Sequence, residues 1–181
     1  MLSMQVSFLL FLGVFATSLS FKINTNITDG FTNDSKFDTA PFVKIGNGLY
    51  YIESNLKTSW FEANERCHKH DAELVTFETM EEWVLINKYL LDNVIEGIYW
   101  TSGNDLAKEG RHVWLANGED VGSWLWTRDQ PDNVLDNEHC HELGFRRTEN
   151  DRRALNDAHC ADNVLYICEK RQLKTFSMVI Y

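Results

Sequence analysis

The sequence is short of basic residues, of proline and of long apolar runs. Its 17 Lys and Arg stand against 27 Asp and Glu, which gives a formal net charge of −10 over 181 residues. This excess of negative charge excludes a general nucleic-acid binder, because that class neutralises phosphates with Lys and Arg. Two prolines and ten glycines exclude a collagen-like or proline-rich chain. Hydrophobic residues make up 44% of the chain, so one folded domain with a core is expected.

The first twenty residues contain no Asp, Glu, Lys or Arg. They hold one apolar run, 6–16, and Ser18 and Ser20 are small residues suited to cleavage before Phe21. This pattern predicts a secretory signal peptide over residues 1–20. The run is shorter than the roughly 20 residues that a membrane-spanning helix needs. We therefore expect no membrane insertion and a secreted, extracellular protein.

The mature chain divides into three parts by composition. Residues 21–41 are polar and contain two glycosylation sequons, at Asn26 and Asn33, which predicts a flexible leader that is a substrate for N-glycosylation. Residues 42–171 carry the patterns of a folded domain. Residues 172–181 form an apolar tail, and two interpretations of it stay open: an edge strand in a dimer, or a segment packed on the domain.

The four cysteines are Cys67, Cys140, Cys160 and Cys168. An even number in an exported chain predicts two disulfides, for which three pairings exist. A zinc site is the alternative, but the chain has no CxxC pair and the long gap after Cys67 fits no zinc-finger spacing.

Capping signals predict two helices. Thr58 or Ser59 caps a helix that runs to about His70, with Glu62 at capping-box distance from Ser59. A second box begins at Thr79. The apolar stripe of the second helix is expected to be core, and it comprises Met80, Trp83, Val84, Ile86, Leu90 and Leu91. Short β-prone runs follow, so the sequence predicts an α+β fold of two helices and antiparallel sheets.

A long polar segment, 128–137, has little to bury and needs something to hold it in place, such as a bound cation. It contains Gln130-Pro131-Asp132, where a cis prolyl bond would turn both polar side chains the same way. Glu138 follows beside Cys140, and Asn156-Asp157 precedes Cys160, so a disulfide between these two cysteines would bring the groups together.

These residues supply five oxygen donors. Mixed carboxylate and amide oxygens suit calcium better than zinc or copper. The candidate metal ligands, which are also the candidate carbohydrate-binding residues, are Gln130, Asp132, Glu138, Asn156 and Asp157.

In order and spacing, these motifs resemble the C-type lectin family over roughly Asn47 to Arg171. The resemblance implies a C-type lectin-like domain with a long calcium-binding loop and the pairings Cys67–Cys168 and Cys140–Cys160. It is similar to secreted insect lectins with a single carbohydrate-recognition domain, for which Ca2+ is the cofactor and no enzymatic activity is expected. The chain also has no nucleophile elbow, P-loop or dinucleotide motif.

The resemblance also implies a ligand class. Gln130-Pro131-Asp132 resembles galactose-type sites of the family, whereas Glu-Pro-Asn is typical of mannose-type sites. The expected partners are glycans with galactose or N-acetylgalactosamine on cell or microbial surfaces. As a homo-oligomer the protein would agglutinate cells or microbes in innate immunity. The alternative is a calcium-independent, protein-binding C-type lectin-like module.

Three departures from the family pattern qualify these expectations. Val134 stands where galactose-type relatives often carry Trp, and Leu155 stands where the family usually has Trp before Asn-Asp. Asn133 and His139 replace acids of an auxiliary calcium site, so one calcium ion is expected rather than two.

Overall fold

The computed structural model describes residues 23–28, 39–144, 154–171 and 175–180. These residues fall into two units, one formed by the first and last strands and one that holds the rest. The predicted signal peptide and the sequon at Asn33 lie outside the described residues. The strands within the described residues are β1 (Ile23–Thr28), β2 (Val43–Ile45), β3 (Gly48–Ile52), β4 (Glu73–Leu74), β5 (Tyr99–Asn104), β6 (Val113–Trp114), β7 (Cys140–Leu143), β8 (Leu155–Ala158), β9 (Leu165–Glu169) and β10 (Thr175–Ile180).

The first unit is a two-stranded antiparallel ribbon of β1 and β10. Ile23 lies opposite Ile180, and Thr28 lies opposite Thr175. The apolar tail therefore supplies a strand, and the strand that pairs with it comes from the polar leader of the same chain. The sequence patterns did not predict this pairing.

In the second unit, helix α1 spans Trp60–Lys69. Its N-cap is Ser59, whose hydroxyl accepts a hydrogen bond from the backbone N–H of Glu62 at 3.3 Å, so the predicted helix start is confirmed. The helix buries Trp60, Ala63 and Cys67 on one face, which packs against the sheet.

Helix α2 spans Met80–Asp92, and the hydroxyl of Thr79 caps it as predicted. The prediction that its whole apolar stripe is core was wrong. Met80, Val84 and Leu91 are between 45% and 56% exposed. A helix that packs against one side of a sheet buries a single face, and here that face carries Ile86 and Leu90.

The sheet of the second unit runs in the order β2, β3, β9, β5, β7, β8, with β4 added on β9 and β6 on β5. Its pairings are antiparallel except at the centre, where β5 and β9 run parallel. The sheet is therefore mixed, whereas the sequence predicted antiparallel sheets. Buried side chains lie on both of its faces and form two apolar clusters.

Both predicted disulfides are present. Cys67–Cys168 joins α1 to β9, and Cys140–Cys160 joins the start of β7 to a residue just beyond β8. The α+β fold with two helices and these two bridges is therefore confirmed. The second bridge closes a loop of 20 residues, worth roughly 3 kcal/mol in the chain-entropy account, and holds together the ends of the strands that carry the candidate site.

Candidate functional site

The candidate site lies where the segment 127–139 meets the ends of β7 and β8. The Gln130–Pro131 peptide bond is cis, which is the condition that the sequence analysis set for both flanking side chains to turn the same way. Beyond the proline the chain turns back at once, so the backbone N–H of Asp132 donates to Oε1 of Gln130 at 3.1 Å. The side chain of Gln130 is thus held against the backbone of Asp132.

Asp157 anchors this turn to the sheet. It lies in β8 with its side chain fully buried, and its carboxylate accepts two backbone hydrogen bonds from the loop. The N–H of Asp132 donates to Oδ1 at 3.1 Å, and the N–H of Asn133 donates to Oδ2 at 2.8 Å. A carboxylate that accepts backbone N–H groups makes strong, charge-assisted hydrogen bonds, so Asp157 fixes the loop directly.

Glu138 lies near the C-terminal end of the loop and contributes the third carboxylate of the site. Its Oε2 accepts from the N–H of Val134 at 3.0 Å, and its own N–H donates to Oδ1 of Asn133 at 3.0 Å. As a result, carboxylate oxygens of Asp132, Glu138 and Asp157 lie within 4.8 Å of one another.

The electrostatics of this cluster favour a bound cation. Burial raises the pKa of Glu138, and the charges of Asp157 and Asp132 raise it further. Gathering three carboxylates in a partly buried place is costly, and a divalent ion offsets that cost. The donors are all oxygens, which fits calcium by donor type.

Asn156 is oriented by a residue that the sequence analysis missed. Its Nδ2 donates to Oε1 of Glu142 at 3.2 Å and to the backbone carbonyl of Asp157 at 2.5 Å. These two acceptors fix the orientation of the Asn156 amide. Glu142 lies directly opposite Asn156 in the β7–β8 pairing, and burial raises its pKa to about 7.

A second cluster lies beside the first and comprises Asp105, Glu109 and His139. Nδ1 of His139 lies 3.1 Å from Oδ1 of Asp105 and 3.3 Å from Oε2 of Glu109. The sequence analysis named His139 as a departure from the family pattern but did not single out the two acids. No local signal marks them, because they lie about 30 residues earlier in the chain than His139.

Comparison with known proteins identifies the fold and the family together. The sequence pattern of the Lectin C-type domain matches residues 56–170. The chain belongs to the C-type lectin domain family. Members of this family commonly bind Ca2+, although some are calcium-independent, and they are generally binding proteins rather than enzymes.

Individual C-type lectins are similar to this chain over most or all of its length. C-type lectin 37Da of Drosophila melanogaster is 37% identical over an alignment of 186 residues that covers all of both chains. The carbohydrate-recognition domain of mouse scavenger receptor C-type lectin superposes with a TM-score of 0.62 at 26% identity, covering 75% of this chain and 98% of the domain. A calcium-independent type II antifreeze protein shares the fold at 22% identity and a TM-score of 0.60, over 74% of this chain and 94% of that protein.

The structure places the five predicted site residues of this C-type lectin chain as follows. Three carboxylates converge, those of Asp132, Glu138 and Asp157. Gln130 accepts a hydrogen bond from the backbone N–H of Asp132, and Asn156 donates one to the backbone carbonyl of Asp157. Among the described residues, no helix has both the length and the apolar character needed to cross a membrane.

Proposed function

We propose that the protein is a secreted, calcium-dependent lectin that recognises galactose or N-acetylgalactosamine on glycans. The single observation that supports this best is the convergence of three carboxylates beside a cis Gln130–Pro131 bond. These carboxylates, with Gln130 and Asn156, are the residues that would hold Ca2+. When bound, the ion would supply open coordination positions for two adjacent sugar hydroxyls.

The protein's own groups would orient the sugar. A hydroxyl donates one hydrogen bond and accepts others, so carboxylate and amide groups placed side by side distinguish its two roles. Gln130 comes before the proline and Asp132 after it, which reverses the order of amide and acid in mannose-type Glu-Pro-Asn sites. This order supports the equatorial and axial hydroxyl pair of galactose as the preferred ligand.

The alternative function is calcium-independent binding of a protein partner. It is worth testing because the fold is shared with an antifreeze protein described as calcium-independent. Against it, all five candidate ligand positions carry side-chain oxygens, three of them carboxylates that converge.

A glycan array with the full, oxidised chain tests the proposal. We expect binding to galactose-terminated glycans in calcium and loss of binding in EDTA. Asp132→Asn should abolish binding, whereas Asp136→Asn, which removes an exposed carboxylate of the same loop outside the cluster, should not. Binding that persists in EDTA would overturn the calcium mechanism and favour the alternative.

A paired substitution tests the sugar preference. Gln130→Glu with Asp132→Asn restores the amide and acid order of mannose-type sites and should move the preference towards mannose. If the preference does not change, the surrounding loop sets specificity instead.

We also propose export and multivalent binding. Removal of residues 1–20 would leave Phe21 as the N-terminus, with sequons at Asn26 and Asn33 open to glycosylation. Agglutination of cells or microbes requires at least two sites on one particle, so it would need a homo-oligomer. Mass spectrometry of the protein secreted from insect cells, before and after deglycosylation, tests the first part. Sedimentation with an agglutination assay tests the second.

A further inference from the structure

A cavity of about 300 Å³ lies between the turn after β6 and the segment before α2. It shares no residue with the candidate site. Its lining includes three aromatic rings and three carboxylates, those of Phe77, Trp114, Trp124, Glu78, Glu119 and Asp120. Among the described residues that line it, none is Lys, Arg or His. The cavity therefore combines flat apolar surfaces with charge of one sign.

Two of the rings are buried, and the third is open to a ligand. Phe77 and Trp114 are 1% and 2% exposed and pack edge to face, with ring centroids 6.0 Å apart. Trp124 is 40% exposed, a large fraction for a side chain that is usually well buried. Its ring packs edge to face on Trp83 and lies against Gly122, where a Cβ atom would come within 2.4 Å of Nε1. The indole is therefore held in one orientation and still offers surface to a ligand.

The acids beside these rings are positioned by a tight turn and by one amide. The N–H of Trp114 donates to the carbonyl of Glu119 at 2.9 Å, and the N–H of Gly118 donates to the carbonyl of Trp114 at 2.8 Å. Within this turn, Nδ2 of Asn117 donates to Oε1 of Glu78 at 3.0 Å, and its Oδ1 accepts from the N–H of Glu119 at 2.9 Å. Asn117 thus links the side chain of Glu78 to the turn that carries Glu119.

The negative charge of the cavity is poorly compensated within the chain. Nε of Arg111 lies 3.7 Å from Oδ1 of Asp120, but the two side chains are 63% and 79% exposed. An exposed ion pair of this kind contributes little, because water screens it. The lining is therefore complementary to a positive group on a ligand, and the formal net charge of −10 favours the approach of such a ligand.

Arginine fits this combination of groups best. Its guanidinium is planar, so it stacks on an indole and donates paired hydrogen bonds to carboxylates, whereas the lysine ammonium is a strongly hydrated point charge. A metal ion fits less well, because the three acids of the cavity do not form a group of converging ligand atoms in the described part of the chain. The volume lies at the lower end of the range for small-molecule pockets, which suits a single side chain.

We propose that this cavity binds the side chain of an arginine presented by a protein partner. The guanidinium would stack on Trp124 and donate hydrogen bonds to the carboxylates of Glu78 and Glu119. Because the cavity shares no residue with the candidate site, a partner held here would not compete with calcium or with a glycan for the same groups.

An NMR titration of the full, oxidised chain in saturating calcium tests this proposal. The probe is a capped peptide with one arginine between serine and glycine residues, and the control peptide carries citrulline, the uncharged isostere of arginine. The chain has six Trp, and Trp124→Phe identifies the indole N–H signal of Trp124 by its loss. We expect the arginine peptide to shift this signal saturably. The citrulline peptide should bind at least about tenfold more weakly, because it lacks the charge that strengthens hydrogen bonds to carboxylates.

Substitution of one acid tests the assignment of the cavity. Glu78→Gln should weaken binding of the arginine peptide by about three- to tenfold, since it removes one charged acceptor. The matched control is Glu65→Gln, which makes the same change at an exposed acid outside the cavity and should leave binding unchanged. Should Glu78→Gln fail to fold, Glu119→Gln gives the same readout. The proposal is overturned if the arginine peptide leaves the Trp124 signal unshifted, if the citrulline peptide binds equally well, or if Glu65→Gln weakens binding as much as the cavity substitutions.

Discussion

Replacing Asp157 by Asn separates the structural role of this residue from its proposed role as a ligand. The carboxylate accepts backbone hydrogen bonds at 3.1 Å and 2.8 Å from two consecutive residues of the loop, and the side chain is fully buried. Asn keeps one acceptor oxygen and turns an N–H2 group towards the other backbone donor. Hydrogen bonds to a buried charged group contribute about 1.5–3 kcal/mol each, so we expect a loss of about 2–3 kcal/mol in the free energy of unfolding.

The assay is urea denaturation in a calcium chelator, so that metal binding does not contribute. The control is Asp132→Asn, in which an exposed carboxylate of the same cluster is lost and all backbone donors stay paired. We expect this variant to stay within about 0.5 kcal/mol of the parent. In calcium, neither variant should bind the ion. If Asp157→Asn instead stabilises the chain without calcium, charge repulsion outweighs the hydrogen bonds and the anchoring role of Asp157 is wrong.

Three further predictions concern Glu138, Glu142 and Glu169. Calcium affinity should be lower at pH 5 than at pH 7.5, since the raised pKa of Glu138 lets protons compete with the ion; calcium titrations that give equal affinities would contradict this. Glu142→Ala should weaken calcium binding about tenfold, because it releases the amide of Asn156. Glu142→Gln keeps an acceptor and should retain the calcium affinity of the parent in the same titration. Equal effects of the two substitutions would exclude the orienting role of Glu142. Burial and the nearby charge of Glu82 raise the pKa of Glu169 from 4.5 to about 9. Between these two pH values the folded chain holds a proton that the unfolded chain releases. The free energy of unfolding therefore decreases as the pH rises towards 9. Urea denaturation at pH 6 and 9 should therefore show a smaller decline for Glu169→Gln than for the parent or for the exposed control Glu65→Gln, and equal declines would refute it.

Signals that lie close together in the sequence predicted the structure well. Ser59 and Glu62 are three residues apart, and their capping bond sets the start of α1 as expected. The cis bond before Pro131 is likewise a local property of the chain.

Features that depend on distant packing were predicted less well. The exposure of Met80 and Val84 depends on which face of α2 meets the sheet, and apolar spacing alone does not decide it. The parallel pairing of β5 with β9 joins segments about 65 residues apart, and no local pattern marks it.

Within the candidate site, some residues are marked by local sequence signals and others are brought there only by the fold. Its five oxygen donors could be proposed from the sequence because Pro131 and the cysteines mark their positions. Glu142 was missed, since an acid two residues after a cysteine in a strand is indistinguishable from a surface residue until its cross-strand partner is known. The acids of the second cluster were missed because only the fold brings them to His139.

The pairing of β7 with β8 suggests where a peptide handle can be attached. Cys140 opposite Ala158 is the end of this strand pair next to the candidate site, and Leu143 opposite Leu155 is the other end. Three residue steps of strand separate the two ends by roughly 10 Å. A peptide handle attached at the Leu143 end of the pair would therefore begin roughly 10 Å from the end next to the candidate site, which offers a way to immobilise the protein with its ligand-binding groups free.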